Sequence, residues 1–475
     1  MLYVPRTRRE FLQQLAAAGV VLGVGGSLGG CGPILQAIQN RPVRRNIADL
    51  APNDPIIDAY KAAVTAMKAL PTTDGRNWTR QAQIHLDHCP HGNWFFLPWH
   101  RAYLFYFEKI CRALSGYEPF ALPYWNWTTS REIPAVFWGG PSNPLFNGTR
   151  WATPTSQADL WYIGAPVIEG ILNIANFEVF ASGPSPTQRG ASTTGELEGT
   201  PHNNIHGFVG GDMGTYMSPL DPVFWTHHNM IDCLWVDWNI TRGHPNTSDP
   251  NWVNFAFNGN FFDIDGSPAN IDVLTTLLMP LFTYRCQDVV LTQAQEASTE
   301  AFLRRGAPSR LETLFHAEQG QGVDVVVGRP ATVRVTAPAQ RLTAAAERPE
   351  QERVLLTLRG IQAPVQEDFF VRVFVGSGEV GQQTPEDDPR FVGALGFFED
   401  ERHPHERTFV LDITDELEGL ARSNRLAGDQ AVAVSFVAVP HENRQVRENR
   451  TRIGAVELAV VRAPAPETRR DPQRR

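Results

Sequence analysis

Histidines gather in two separated parts of the sequence, and their number and spacing suit metal binding. The first group lies between residues 85 and 100, and the second between residues 202 and 228. Three imidazoles from each group could hold one metal ion, and two such ions side by side would form a dinuclear site. Imidazole nitrogen suits copper, zinc, iron or nickel and disfavours calcium and magnesium. If both ions were copper, the pair would serve to handle dioxygen.

The helices around these groups decide how the rings converge. His202 and His206 are four residues apart, so on a helix they face the same side and can reach one ion. His100 and His228 each open a predicted helix, over residues 100–114 and 227–240, where apolar residues recur every three to four positions. We expect His85 and His91 in a loop.

Asp232 follows His228 by one helical turn. At that distance its carboxylate could orient a ligand ring or the neighbouring backbone, as groups around metal ligands commonly do.

Two long patterns surround the histidines and resemble the tyrosinase and polyphenol oxidase family of type-3 copper proteins. The first reads His91-x4-Phe96-Leu97-Pro98-Trp99-His100-Arg101-x2-Leu104-x3-Glu108, and the second reads Asp221-Pro222-x-Phe224-Trp225-x2-His228-x3-Asp232. By this resemblance one copper has the ligands His85, His91 and His100, and the other has His202, His206 and His228. His88 and His227 neighbour ligands but lie off the motifs, so we predict that neither binds copper.

The resemblance also assigns roles to residues beside the ligands. Cys89 is expected to be bonded through sulfur to a ring carbon of His91; the alternative is a free thiol. Glu198 and Asn203 match a pair that holds a water able to accept a phenolic proton, although they could instead be a loop acid and a helix cap. Thr215 matches a gate position, where a small residue leaves the copper open to phenol rings.

The similarity covers most of residues 50–463, including the segment Leu122-Pro123-Tyr124-Trp125-Asn126-Trp127. It implies oxidation of o-diphenols to o-quinones by dioxygen, with o-hydroxylation of monophenols as well. A catechol oxidase without monophenol activity is the alternative, followed by a dioxygen carrier and a dizinc hydrolase. The resemblance further implies that the C-terminal domain covers the copper site.

Composition divides the chain into segments. We predict a mainly helical, loop-rich dicopper domain over residues 40–290, a linker over 291–322 and a β sandwich or barrel over 323–463, where short valine-rich runs alternate with turns. Residues 464–475 are polar and arginine-rich and are predicted to be a disordered tail. Cys111 and Cys233 fall in helical patterns and are expected to be buried thiols rather than disulfide partners.

Residues 1–31 resemble an export signal. Arg8-Arg9 starts a twin-arginine pattern, an apolar stretch follows, and Leu28-Gly29-Gly30-Cys31 resembles a lipoprotein cleavage site. We predict a periplasmic or cell-surface protein with a lipid anchor on Cys31; the alternative is a plain export signal with an incidental cysteine. The formal net charge of -9 and the lack of a basic stripe argue against nucleic acid as a partner. The sequence makes no prediction about oligomeric state.

Overall fold

The computed structural model describes residues 40–463 except residues 297, 307–310, 365–367, 399–405, 424–430, 443, 445, 447 and 448. The predicted export signal with Cys31 and the predicted tail over residues 464–475 lie outside the described residues. Within the described part, no helix combines the length and apolar character needed to cross a bilayer.

Helices build the N-terminal domain, as predicted. They are α1 (Pro55–Ala69), α2 (Trp78–His88), α3 (Phe96–Ser115), α4 (Leu160–Ile163), α5 (Ala165–Asn173), α6 (Phe177–Ala181), α7 (Asn203–Val209), α8 (Val223–Val236), α9 (Pro250–Val253), α10 (Val273–Phe282), α11 (Gln293–Glu296) and α12 (Thr299–Phe302). Five short strands accompany them: β1 (Val43–Arg44), β2 (Thr193–Thr194), β3 (Ala256–Phe262), β4 (Pro268–Asp272) and β5 (Arg285–Cys286). Buried aromatic and aliphatic side chains fill the space between the helices.

Helix α3 is longer than predicted. It begins at Phe96 rather than at His100, because Pro98 falls in its first turn, where the missing backbone donor is not needed. It ends at Ser115, and the capping residue Gly116 has a φ of 67°, in the left-handed region that favours glycine. Helix α8 likewise begins at Val223, four positions before the predicted start. His100 and His228 therefore lie in the second turn of their helices and do not open them.

A disulfide bond joins Cys233 and Cys286, with their Cα atoms 5.9 Å apart. The expectation that Cys233 is a buried thiol was therefore wrong. The two cysteines are 53 positions apart in sequence, and spacing alone does not reveal such a pairing. Strand β5, which carries Cys286, lies parallel to β1, so the bond fastens the N-terminal segment near the end of α8. Cys111 is a buried free thiol, as predicted.

The C-terminal domain is built from β strands, as predicted. The strands are β6 (Thr313–Gln319), β7 (Val323–Val326), β8 (Ala331–Thr336), β9 (Glu352–Ile361), β10 (Phe369–Val375), β11 (Phe391–Leu395), β12 (Arg407–Asp412), β13 (Ala431–Pro440), β14 (Arg450–Ile453) and β15 (Ala455–Arg462), with helices α13 (Ala339–Ala346) and α14 (Thr414–Arg422) beside them. One sheet has the order β11-β10-β13-β8, and the other has the order β2-β12-β9-β15-β6. Leu356, Val371 and Val434 belong to one core that both sheets share. The described strands close no barrel, so the sandwich alternative is the observed one.

The predicted linker over residues 291–322 contains a strand of this sandwich. Strand β6 pairs with β15 in antiparallel register, with Ala317 opposite Leu458. The prediction of a linker missed this strand because its residues are half-buried or exposed and show no strong apolar run. The C-terminal sheet therefore begins about ten residues before the predicted domain boundary.

The two domains are joined by strand pairing and by a shared core. Thr193 and Thr194 of β2 pair in parallel with Thr408 and Phe409 of β12. The ring of Trp161 lies 4.5 Å from that of Phe391, measured between centroids. The N-terminal domain thus supplies an edge strand to the C-terminal sheet.

Carboxyl groups crowd the same junction. Glu196 Oε1 accepts a hydrogen bond from the backbone nitrogen of Asp412 at 2.6 Å. Arg353 faces Asp412 at 2.8 Å and Asp415 at 3.5 Å. Glu416 Oε2 is buried without a hydrogen-bond partner among the described residues. The guanidinium group of Arg353 is therefore the positive charge that offsets these four carboxyl groups.

These surroundings favour the neutral form of two of the acids. Burial, followed by the charges of Asp412 and Glu416, raises the pKa of Glu196 well above its usual value, although the hydrogen bond from Asp412 opposes the shift. Burial, reinforced by Asp412 and Asp415, raises the pKa of Glu416 to about 8. A raised pKa in the docked state means that docking loses stability as pH rises from the ordinary carboxyl range towards that value.

We expect the junction of the two domains to loosen between about pH 5 and pH 8, by up to about tenfold in the docking equilibrium per pH unit for each ionising carboxyl. Hydrogen exchange of β2 and β12, corrected for the intrinsic rate at each pH, measures this change. Glu196→Gln and Glu416→Gln should each flatten the pH dependence, because neither amide can ionise. Equal pH dependence in wild type and in both variants would contradict the assignment.

Candidate metal centre

Two groups of buried side chains bring their donor atoms together. His85, Cys89, His91 and His100 form the first cluster, and His202, His206, His227 and His228 form the second; within each cluster the donor atoms lie within 4.8 Å of one another. The clusters face each other, because the ring of His100 stacks on that of His228 with centroids 4.2 Å apart. The arrangement therefore offers two adjacent binding positions.

Helices carry five of the six predicted ligands. His85 lies in the last turn of α2, so the expectation that it lies in a loop was wrong. Helix α2 escaped prediction because its sequence is largely polar, and the helix is capped by Asn77, whose side chain accepts from the nitrogen of Arg80. His91 does lie in the loop that joins α2 to α3.

His202 and His206 straddle a helix junction. His202 ends a five-residue π-helix over residues Glu198–His202, and α7 continues directly from it. Their ring centroids are 4.6 Å apart. The predicted four-residue spacing thus brings both rings to one place, and the Nε2 atoms of His202 and His206 lie 3.3 and 3.2 Å from Nε2 of His228.

Acceptors on the far side of the rings fix their orientation. Nδ1 of His85 lies 2.8 Å from the carbonyl of Tyr216, Nδ1 of His100 lies 2.8 Å from that of Phe96, and Nδ1 of His206 lies 2.6 Å from that of Met213. A carbonyl oxygen only accepts, so each Nδ1 donates and each Nε2 keeps its lone pair. Such partners set the tautomer and direction of metal-binding histidines.

Burial keeps these imidazoles neutral. It lowers the pKa of His100 and of His206 to about 3. It also lowers the pKa of His85 well below its usual value, and the charge of His100 adds to the shift. A neutral imidazole is the form that binds a metal ion. Nε2 of His85 is buried without a hydrogen-bond partner among the described residues, as expected for a nitrogen that binds a metal ion.

Asp232 does not touch a ligand ring in the way we expected. Its carboxylate forms buried salt bridges with Arg101 at 2.6 Å and with Arg44 at 2.9 Å, and it accepts a hydrogen bond from the hydroxyl of Tyr284. Arginine rather than imidazole is the partner because Asp232 lies a full turn beyond His228, at the contact between α8 and α3. Its effect on the histidines is therefore exerted through the packing of the two helices.

Glu198 and Asn203 are both buried beside the clusters but are held by different groups. Glu198 accepts hydrogen bonds from the backbone nitrogen of Gly92 and the hydroxyl of Ser182, both at 2.6 Å. Burial raises its pKa to about 7, although these two hydrogen bonds oppose the shift. Asn203 Oδ1 lies 2.8 Å from Nδ1 of His202, and its Nδ2 donates to the carbonyl of Gly396 at 3.0 Å. The acid and the amide thus flank the second cluster separately.

Tyr216 is a site residue that sequence reasoning missed. Besides its carbonyl contact with His85, its hydroxyl lies 3.1 Å from Nδ1 of His91. The predicted gate residue Thr215 directs its hydroxyl to the carbonyl of Asp212 at 2.9 Å. The only available signal was that Tyr216 follows the gate position, and a single tyrosine carries no metal-binding pattern.

Cys89 lies between two ligand rings of the first cluster. Its Sγ is 3.4 Å from Nδ1 and 3.8 Å from Nε2 of His91, and it is 3.3 Å from Nε2 of His100. The sulfur therefore lies at similar distances from the two nitrogens of the His91 ring.

A phenylalanine from the C-terminal domain covers the clusters. Phe398 follows β11, and its ring centroid lies 4.2 Å from that of His206 and 4.8 Å from that of His91. It also stacks on Tyr216, with centroids 5.1 Å apart and planes 8° apart. An aromatic ring of this chain thus occupies the space above the metal ligands, on the side where the C-terminal domain was expected to cover the site.

A family model for the common central domain of tyrosinase matches residues 68–160 and 152–241. Those two ranges contain all six predicted ligand histidines. Residues 68–241 of this chain belong to the tyrosinase and polyphenol oxidase family of type-3 copper proteins.

Individual relatives of this family match over different lengths. Polyphenol oxidase A1 of Vicia faba is 30% identical over 296 residues, which cover 53% of this chain and 48% of that protein. The match to (+)-larreatricin hydroxylase of Larrea tridentata covers 47% of that protein, so the chain spans about half the length of these two plant relatives. Tyrosinase HcTyr1 of a Hahella species is 27% identical over 487 residues, which cover 87% of this chain and 98% of that protein.

Solved structures of this family share the fold. Latent apple tyrosinase superposes with a TM-score of 0.66 at 23% identity, covering 89% of this chain and 97% of that one. Recombinant latent aurone synthase, a polyphenol oxidase, superposes with a TM-score of 0.67 at 23% identity, covering 90% of each chain. Both likenesses extend over the helical domain and the β sandwich.

The donor sets fit the type-3 copper centre. Each cluster supplies three imidazoles on the family motifs, and their nitrogens are neutral, buried and directed inwards. His88 lies outside both clusters, in agreement with its exclusion, whereas His227 lies inside the second cluster with its ring centroid 5.4 Å from that of His202. Neither ring nitrogen of His227 has a hydrogen-bond partner among the described residues. Its exclusion as a ligand stays a prediction.

Measuring the copper content of two variants distinguishes the role of His227 from that of His228. His228→Ala should lose one of the two copper equivalents, because Nε2 of His228 lies within 3.3 Å of the Nε2 atoms of both His202 and His206. His227→Ala should keep both, and elemental analysis of the purified variants measures this. Equal copper loss in the two variants, with folding verified by circular dichroism, would show that His227 is a ligand.

Proposed function

We propose that this protein oxidises phenols with dioxygen at a dinuclear copper centre, converting o-diphenols to o-quinones. The observation that carries the proposal is the pair of facing histidine clusters, in which acceptors hold the Nδ1 atoms of His85, His100, His202 and His206 and the donor atoms of each cluster converge. Family membership supports it, since the relatives are named as polyphenol oxidases and tyrosinases. Bound copper would supply the redox chemistry, taking electrons from the phenol and passing them to dioxygen.

The chain's own residues position the ligand histidines and exclude water from the site. Phe96 and Phe224 lie edge-on or tilted against ligand rings, with centroids 4.7 Å from His202 and 4.2 Å from His228. Such an apolar wall keeps stray water from the reacting groups. Helices α3 and α8 hold His100 and His228 rigidly, so little reorganisation is needed when a substrate arrives.

Two other functions use similar donor sets and are distinguished by one experiment. A dioxygen carrier would bind copper and oxygen but release no quinone. A dizinc hydrolase usually has carboxylate ligands, and neither cluster in the described part of the chain contains one. Copper analysis combined with quinone formation from a small catechol tests the proposal, and copper-loaded protein that produces no quinone after the site is opened would overturn it.

We further propose that the enzyme hydroxylates monophenols. A monophenol must lose its proton before its ring can be attacked, and a carboxylate whose pKa is about 7 is well matched to accept that proton near neutral pH. Glu198 is such a group; it begins the π-helix, and Asn203 begins α7 directly after it. The alternative of a pure catechol oxidase differs only in lacking this step.

Replacing Asn203 should affect the two reactions unequally. We expect Asn203→Ala to lower monophenol turnover by about 10²–10⁴-fold, the usual contribution of general acid–base assistance, and to leave diphenol turnover within a few-fold. Copper content must be measured in parallel, because Asn203 also orients His202. Asn203→Asp keeps the acceptor for Nδ1 of His202 and serves as the control for that contact. An equal fall in both activities at full copper loading would contradict the assigned role.

We propose that Phe398 keeps the full-length enzyme latent. Its ring lies where a phenol ring would have to approach the ligand histidines, so a substrate must first displace it. Two structurally similar proteins are described as latent, which supports the same behaviour here.

Removing this ring should activate the full chain without proteolysis. If the open state is populated at a few per cent, Phe398→Ala should raise kcat/KM for a small catechol by about 10–100-fold. Phe398→Leu keeps most of the bulk and should raise it much less. Activity that is unchanged in Phe398→Ala, with both coppers bound, would show that this ring does not limit access.

We also propose a thioether between Cys89 and His91. Its formation joins sulfur to the ring carbon between the two nitrogens, removes the thiol proton and one ring hydrogen, and passes two electrons towards dioxygen. The closeness of Sγ to both nitrogens of His91 supports it. Such a bond would fix a ligand that no helix carries.

The predicted location is a proposal as well. We propose export by the twin-arginine route, which carries folded proteins and so suits a preassembled metal centre, with Cys31 lipidated as an anchor. The supporting evidence is the sequence pattern of residues 1–31 alone.

A further inference from the structure

The backbone of Ser182 adopts a conformation that favours glycine. Its φ of 111° and ψ of 154° lie in a region that glycine occupies almost alone, because a Cβ atom crowds the backbone there. Among the described residues it is the only one other than glycine with a positive φ. Residues held in such strained conformations concentrate at functional sites. A serine at this position therefore indicates a role for its hydroxyl group.

The backbone at this position needs no side chain. Ser182 directly follows α6, and its nitrogen donates to the carbonyl of Glu178 at 3.1 Å, which ends the helix. Glycine is the usual residue where a helix ends with a positive φ. The nitrogen of the next residue, Gly183, donates to the carbonyl of Thr193 at 2.8 Å. Glycine at position 182 could make the same backbone contacts, so the helix end does not explain the serine.

The hydroxyl group of Ser182 connects two other parts of the chain. The backbone nitrogen of Gly195 donates to Oγ at 3.0 Å, and the hydroxyl donates to Oε2 of Glu198 at 2.6 Å. A Cβ atom on Gly195 would lie 2.5 Å from the nitrogen of Ser182, so glycine is required for this approach. Because a serine hydroxyl has one hydrogen and an N–H group can only donate, that hydrogen is directed to Glu198.

Glu198 therefore receives one donor on each carboxyl oxygen. The nitrogen of Gly92, the residue after the ligand His91, donates to Oε1 at 2.6 Å, and Ser182 donates to Oε2. Both Ser182 and Glu198 are buried. Donors on both oxygens favour the ionised carboxylate, which keeps lone pairs for a further proton or donor.

Burial and hydrogen bonding act on Glu198 in opposite directions. Burial raises its pKa to about 7, and the rise is opposed first by the Ser182 hydroxyl, then by the Gly92 nitrogen and then by the charge of Arg407. Arg407 belongs to β12 in the C-terminal domain, and Gly92 contributes its backbone. Ser182 is therefore the side chain of the helical domain that counteracts the burial of this acid.

We propose that Ser182 is a positioning residue for monophenol hydroxylation: its hydroxyl fixes the side chain of Glu198 and favours the ionised form, which accepts the phenolic proton. This inference rests on the proposed hydroxylation and identifies the residue on which its proton acceptor depends. Without the hydroxyl, a smaller fraction of Glu198 is ionised near neutral pH. Monophenols should then react more slowly, whereas diphenols, which do not need this base, should be oxidised as before.

The kinetic test uses the full chain with Phe398→Ala as the parent, so that the site is open, and adds Ser182→Ala or Ser182→Gly. Both variants lack the hydroxyl, but only glycine relieves the backbone strain. We expect both to move the acidic limb of the pH profile of kcat/KM for a monophenol upwards by about one to two pH units, the usual scale for a lost hydrogen bond to a charged group. Above that limb the rates should converge, and diphenol oxidation should stay within a few-fold at every pH.

Ser185→Ala in the same parent is the matched control. Ser185 is also buried, but its hydroxyl donates to the carbonyl of Thr187 at 2.8 Å, so its pH profile should coincide with that of the parent. A parental profile in Ser182→Gly would show that Ser182 is only a helix cap. Equal losses of monophenol and diphenol turnover in both Ser182 variants would show that it only supports the fold. Either result overturns the proposal.

A spectroscopic titration separates this inference from the proposed function. Infrared difference spectra of the copper-loaded parent without substrate report the protonation of Glu198, with Glu198→Gln used to identify its band. We expect the midpoint in both Ser182 variants to lie about one to two pH units above that of the parent. An unchanged midpoint overturns the role of Ser182. The expected shift together with a lack of monophenol turnover in the parent at every pH would instead overturn the hydroxylation.

Discussion

A buried salt bridge between two helices underlies the geometry of the metal centre. Arg101 follows His100 directly on α3, and Asp232 lies one turn after His228 on α8; their side chains meet at 2.6 Å with almost no exposure. Arg44 joins them from β1 and also binds Glu108 of α3 at 3.0 Å. Because a buried charge without its partner is strongly destabilising, these groups permit only one register between α3 and α8. That register stacks His100 on His228 and sets the distance between the two clusters.

Around this fixed pair, the environment of the histidines follows from burial. Six neutral rings in an apolar interior need an acceptor for each N–H group, and backbone carbonyls at the ends of helices and turns supply several of them. The carbonyls of Phe96, Met213 and Tyr216 are examples. The second nitrogens face other side chains of the clusters: Nε2 of His100 lies 3.3 Å from Cys89 Sγ, and Nε2 of His202 and of His206 lie 3.3 and 3.2 Å from Nε2 of His228. A bound metal ion would take up the lone pairs of these converging nitrogens, which two neutral imidazoles cannot share with one another.

The metal ligands could be predicted from the sequence because each motif is local and long. The helix that carries His85 could not, since α2 has a polar sequence and is stabilised by its cap and by packing. The disulfide between Cys233 and Cys286, the strand β6 and the role of Tyr216 depend on contacts between residues far apart in the chain. Phe398 is the clearest case: nothing in its neighbourhood in the sequence distinguishes it, and only the docking of the sandwich brings its ring to the histidines.

Strand β2 has a consequence for the fate of the C-terminal domain once it is detached. In the intact molecule Thr193 and Thr194 cover part of the outer edge of β12. Removal of the N-terminal domain would leave the N–H and C=O groups of that edge open, and an open edge recruits further strands. The detached sandwich should therefore be prone to self-association. In the intact chain, pairing with β2 of the helical domain protects this strand edge.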